Sequence, residues 1–142
     1  MAAIFDRTRL RAIHPLHAVL LAGTVPLFLG ALLADCAYRS SHQIQWSNFA
    51  SWLIVGAMVL CGIVLVFSIA GLFRAGRRSG GGLVYFLVVL ATFVVGFINA
   101  LAHGQDAWAI MPEAIVLSVI VTLLACVATW LGFSGYRVGG AS

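Results

Sequence analysis

The residues of this sequence best suited to chemistry are four histidines, His14, His17, His42 and His103. Imidazole nitrogens can ligate haem iron, and a b-type haem in a helical bundle needs two of them facing each other at one depth. His17 and His103 fall at opposite ends of their apolar runs, so a bilayer core of ~30 Å separates them. His42 and His103 share a side, and they form the pair that could hold haem b or meet a quinone. His42, however, lies in a connection between apolar runs, a poor platform for an axial ligand. Asp35 and Asp106 could join these two histidines around zinc, but the spacing matches no compact motif and no metal site is expected. The other role for such residues is structural. His14, His17, Asp35, Asn99 and His103 then act as hydrogen-bonding anchors near the membrane surfaces. No nucleophile–base pair, glycine-rich phosphate loop or thiol pair accompanies them, so catalysis has no carrier and the sequence points away from an enzyme.

The elements that must position these residues are long and apolar. Residues 49–73 form a run of 25 without a charged side chain. At ~1.5 Å per residue, about 20 such residues cross a bilayer core, and in lipid the backbone must satisfy its own hydrogen bonds. The run is therefore expected to be a transmembrane α-helix. Three more spans are expected at about 16–34, 83–102 and 114–134. Across all 142 residues the chain is 63% hydrophobic and 8% charged, with mean hydropathy +1.09. A soluble domain carries about 25% charged residues. The expected fold is all-α, one integral membrane four-helix bundle covering residues 1–142.

The net charge of +4 concerns topology, not nucleic acid. All eight basic residues are arginine, and seven of them (Arg7, Arg9, Arg11, Arg74, Arg77, Arg78 and Arg137) fall in the N-terminal segment, the second connection and the C-terminal tail. Only Arg39 lies in the first or third connection. The positive-inside rule then places both termini in the cytoplasm of a bacterial inner (cytoplasmic) membrane. The basic start and Leu33-Ala34-Asp35-Cys36 resemble a cleavable lipoprotein signal, but Asp35 stands where a small residue is needed and Pro26 interrupts the apolar region. The segment is expected to be retained. Residues 1–13 read equally as an interfacial helix or as a basic tail.

Within the spans, small and polar residues recur at helical spacing. Gly23, Pro26, Gly30 and Ala34 mark a stripe suited to close helix approach, with a kink expected at Pro26. Thr92, Gly96, Asn99 and His103 mark another, which should face the bundle because an unbonded Asn in hydrocarbon is costly. Ser118, Thr122, Cys126 and Thr129 form a third, whose hydroxyls can bond carbonyls of their own helix. Residues 35–48 are expected to form an outer loop or interfacial helix. The outer sequences from His42 and His103 share a His, a Gln and a Trp, a faint sign of repeated hairpins.

His14-Pro15-Leu16-His17 entering the first span, Asp35 at its far end, Trp46 to Trp52, Trp130-Leu131-Gly132 and Tyr136-Arg137-Val138-Gly139 together resemble one family. It is the bacterial family of predicted four-helix membrane proteins catalogued as domain of unknown function 2231. The resemblance implies a four-helix inner-membrane protein without an assigned activity. Some members of that family accompany periplasmic dehydrogenases or cytochromes, so the resemblance implies a redox context by association. A further family histidine in the first span is replaced here by Ala22-Gly23-Thr24, and another near Tyr85 has no counterpart. The expected function is a non-catalytic accessory or anchoring subunit of an inner-membrane complex linked to electron transfer. The alternative is a small haem b or quinone electron carrier. Expected partners are the lipid bilayer with bound lipid, and other transmembrane subunits or further copies of the chain.

Overall fold

The computed structural model describes residues 14–75, 80–105, 109 and 111–138. Four α-helices follow one another: α1 (Pro15–Ser41), α2 (Ile44–Ala75), α3 (Gly80–His103) and α4 (Glu113–Val138). All four are long and apolar enough to cross a membrane. Each packs on the next, and α4 packs back on α1, closing a ring. Short connections make sequential helices antiparallel, so α1 and α3 run parallel on opposite corners of the ring.

The inward positions step by three and four. In α2 the buried residues are Ser47, Ala50, Ile54, Ala57, Cys61, Val64 and Ser68; in α4 they include Ala114, Ser118, Val121, Ala125, Ala128 and Gly132. In α1 the series is His17, Leu21, Thr24, Phe28, Ala31, Asp35 and Tyr38, and in α3 Val89, Thr92, Gly96 and Asn99 continue to His103. A mean spacing of 3.5 is the seam of left-handed bundles, in which knobs on one helix fill holes on its neighbours. The seam is unusual for a water-soluble bundle, because it is mostly small or polar. Large apolar residues point outward instead, with Phe73 82%, Trp130 75% and Trp52 70% exposed. This distribution fits lipid, where apolar surface gains nothing by leaving the solvent and close packing decides which faces meet.

The core forms layers. Leu21, Val64, Val89 and Ala128 contribute one side chain from each helix. Phe28 fills the centre with Ala57, Val121 and Ala125. It fits because the position opposite is Gly96, where a Cβ would stand 3.3 Å from the Phe28 ring and 2.6 Å from the Met58 sulfur. Ala31, Ala34, Ala50 and Ile54 close the next layer.

Two expectations need correction in detail. The first outer connection is neither a loop nor a separate interfacial helix over residues 35–48. Helix α1 continues to Ser41 and α2 starts at Ile44. A charge ends an apolar run without ending a helix, and no glycine or proline interrupts residues 35–41. The stripe on α1 also divides: Gly23 and Gly30 lie against Leu60 and Leu53 of α2, while Pro26 is exposed. Helix α1 runs through Pro26, which deprives the Ala22 carbonyl of its usual donor. One residue earlier, the Leu21 carbonyl accepts from the hydroxyls of Thr24, at 2.7 Å, and Thr129, at 3.5 Å. Residues 1–13, Arg77, Arg78, Asp106, Trp108 and the tail beyond residue 138 lie outside the described residues.

Candidate functional site: two polar clasps across the bundle

The most developed polar site lies where α1, α3 and α4 converge near the connection between α3 and α4. On α3, Asn99 and His103 are four apart and share a face. The Asn99 carbonyl lies 2.9 Å from His103 Nδ1. A carbonyl only accepts, so Nδ1 carries hydrogen and Nε2 is left for a second partner. That partner is Asp35 of α1, whose Oδ1 lies 2.8 Å away. The Ser118 hydroxyl on α4 donates to Asp35 Oδ2 at 2.6 Å. Asn99 Nδ2 in turn donates to Ser118 Oγ at 3.1 Å. The side chains of His103 and Asp35 are 2% and 0% exposed.

Burying a carboxylate requires both charge compensation and filled lone pairs. Here His103 compensates the charge, and His103 and Ser118 each bond one carboxylate oxygen. The layer at this end is built from small side chains, Ala31 and Ala34 of α1 and Ala50 of α2, all buried. Asn99 is itself completely buried, and its Oδ1 has no hydrogen-bond partner among the described residues.

A second clasp joins the same two helices at the other end. His17 Nε2 and the Tyr85 hydroxyl are 2.7 Å apart. The His17 ring leans on Phe67 of α2 at a centroid distance of 5.6 Å and on Tyr85 at 6.0 Å. Gly132 of α4 leaves room for this ring pair, because a Cβ there would meet Tyr85 at 3.2 Å and Leu21 at 2.5 Å.

Of the residues picked out by sequence, the structure gathers Asp35, Asn99 and His103 into one cluster. It leaves His42 and His14 outside. His42 is exposed and left-handed (φ 58°) at the C-terminus of α1, with its N–H on the Tyr38 carbonyl. It lines a groove with Tyr38, Arg39, Met111 and Pro112. His14 caps the N-terminus of α1, accepting from the Leu16 N–H at 3.3 Å. Position 35, not position 42, stands opposite His103. Among the described residues no three His, Cys, Asp or Glu side chains converge as a metal site would require.

Sequence reading missed Ser118 and Tyr85. By pattern Ser118 belongs with hydroxyls that bond their own helix, as Thr122 and Thr129 do. The antiparallel packing of α3 and α4 sets position 118 beside position 99, and the succession of two apolar runs was the available signal. Tyr85 sits near the start of an apolar run, where nothing local marks it as a partner, but its hydroxyl turns inward to His17.

Four membrane-length helices closed into a ring with a small, polar seam define an integral membrane protein. The sequence model of the family described as predicted membrane protein (DUF2231) matches residues 13–138, and the chain belongs to that family. No curated protein and no solved structure matches it.

Proposed function

We propose that this chain is a non-catalytic accessory or anchoring subunit of a bacterial inner-membrane complex, with both termini in the cytoplasm. The observation that carries this reading is the direction of its side chains. The buried polar groups of the spans are turned to one another, while the outer surface offers large apolar residues at membrane depth. Between α1 and α4 that surface is indented by a groove of about 550 Å³ lined by Val25, Cys126, Thr129, Trp130, Phe133 and Ser134. Side chains of another transmembrane helix fit such a groove, since small residues and gaps are where helices approach in lipid. The sidedness rests on the arginine balance.

An electron-transfer complex is the partner class that the family resemblance suggests. The haem b reading receives less support from the geometry, because both His103 nitrogens are engaged inside the bundle and His42 caps a helix end. A photo-crosslinking residue at position 52 or 130, activated in native membranes, tests the subunit reading. Adducts to another membrane protein are expected at one or both sites. Adducts to lipid alone would overturn it. Labelling of Gln105→Cys from the cytoplasmic face alone would overturn the sidedness.

A further inference from the structure

The four side chains at the Asp35 end form a hydrogen-bonded chain with a direction. Nε2–H of His103 and the Ser118 hydroxyl both point at the carboxylate, and the Asn99 amide donates to Ser118. Since Nδ1–H is committed to the Asn99 carbonyl, a single hydrogen lies between Nε2 and Oδ1, and the pair is net neutral wherever along that bond it sits. We propose that this cluster is a binding site for one further proton, taken up at Asp35 Oδ2 by reversing the chain through Ser118 and turning over the Asn99 amide.

The geometry dictates the route. A hydrogen on Oδ2 cannot share the 2.6 Å contact with the hydroxyl hydrogen that Ser118 already places there. Ser118 must rotate its hydrogen away and accept from Asp35. The side-chain group already touching Ser118 is the Asn99 amide, which presents Nδ2 to it. The terminal torsion of asparagine is broad and two-fold, so a half-turn replaces Nδ2 by Oδ1 with little change in shape. Oδ1 is the one buried side-chain oxygen or nitrogen without a partner among the described residues, so no other bond is broken by the turn. The reversed chain runs from Asp35 Oδ2–H to Ser118 Oγ–H to Asn99 Oδ1, and it holds as many hydrogen bonds as the first. In the uptake step hydronium gives its proton to the carboxylate and leaves as water. Only O–H bonds form or break, and the cluster gains one positive charge.

The surroundings set the field at this site. On α1 the titratable neighbours are Tyr38, buried one turn on from Asp35, and the exposed Arg39 and His42; on α4 there is the exposed Glu113. Helix α2 contributes Ser47 and Ala50 to the buried face at this end, and neither titrates.

The test uses the full chain in lipid nanodiscs, with the Asp35 carboxyl carbon and the Asn99 side-chain amide followed by NMR during acid titration. The two signals are expected to move together with one midpoint. In Ser118→Ala, Asp35 is expected to titrate while the Asn99 response is lost. A constant Asn99 amide as Asp35 protonates overturns the proposal, as does an Asn99 response that survives in Ser118→Ala. It is equally overturned if Asp35 takes up no proton while the bundle stays folded. The wild-type measurement decides alone if Ser118→Ala does not fold.

Discussion

The two clasps repeat one register with different chemistry. His17 meets Tyr85 and Asp35 meets His103, so each pair is offset by the same 68 positions. Within each helix the two clasp residues are eighteen apart, which is five turns and returns them to the same face. The Tyr85 end joins two rings that can be neutral, and they pack against a third ring. The Asp35 end joins a carboxylate to an imidazole, and it recruits Ser118 and Asn99 because a buried carboxylate carries a charge and more lone pairs to fill than an aromatic hydroxyl. The comparison shows how the chemistry of one residue sets the size of the network around it. The His17–Tyr85 contact joins two helices, whereas the hydrogen bonds on Asp35 join three.

The sharpest way to break this contrast is to remove the carboxylate. Asp35→Ala leaves His103 and Ser118 without their acceptor, and is expected to cost about 3–5 kcal/mol of bundle stability. Reversible unfolding in mixed micelles would measure it. Asp35→Asn, which retains an acceptor for Ser118, should cost less. An Asp35→Ala loss no larger than that of Tyr85→Phe would remove the energetic contrast between the two clasps.

Overpacking comes next. Gly132→Leu and Gly96→Leu place bulk where a Cβ already meets neighbours at 2.5 and 2.6 Å. Each is expected to cost about 1–3 kcal/mol in the same assay. Gly132→Leu should also alter the Tyr85 environment, read by tyrosine fluorescence, while Gly96→Leu leaves it unchanged.

Tyr85→Phe removes the hydroxyl that meets His17 and keeps the ring. Its expected cost is about 0.6 kcal/mol and no more than about 1.7 kcal/mol, the range of hydrogen bonds between helices in membranes. A double-mutant cycle with His17→Phe isolates the coupling, and a value above that of the Asp35–His103 cycle would reverse the ranking. The smallest effect belongs outside both clasps. Trp130→Ala should change the stability of the isolated bundle by no more than about 0.5 kcal/mol. The same change is expected to weaken co-purification with a partner subunit, checked by mass spectrometry of gently solubilised membranes.

Much of this architecture was legible in the sequence, for physical reasons. Lipid admits few backbone solutions, so four apolar runs gave four helices, and the Thr92, Gly96, Asn99 and His103 stripe faces inward as the cost of a lipid-exposed amide requires. Asp35 was harder to place. Hydropathy stops at a charge, so it read as the start of a loop, although α1 carries it three residues short of Tyr38 on the same buried face. Its pairing with His103 depends on how parallel helices register across a ring, which local pattern does not contain. The available clue was the matched spacing, His17 to Asp35 and Tyr85 to His103.

That matched spacing also determines how the bundle can move. Two fastenings about 27 Å apart along the helices, at ~1.5 Å per residue, act as a double bolt between α1 and α3. Sliding α3 by one residue would rotate its contact face by about 100° and open both ends at once. A piston stroke of one helix along the other is therefore barred unless both bolts are drawn. Hinging is freer: one end can splay while the other holds. The bolt with the weaker chemistry, His17–Tyr85, is the one expected to yield first under lateral load.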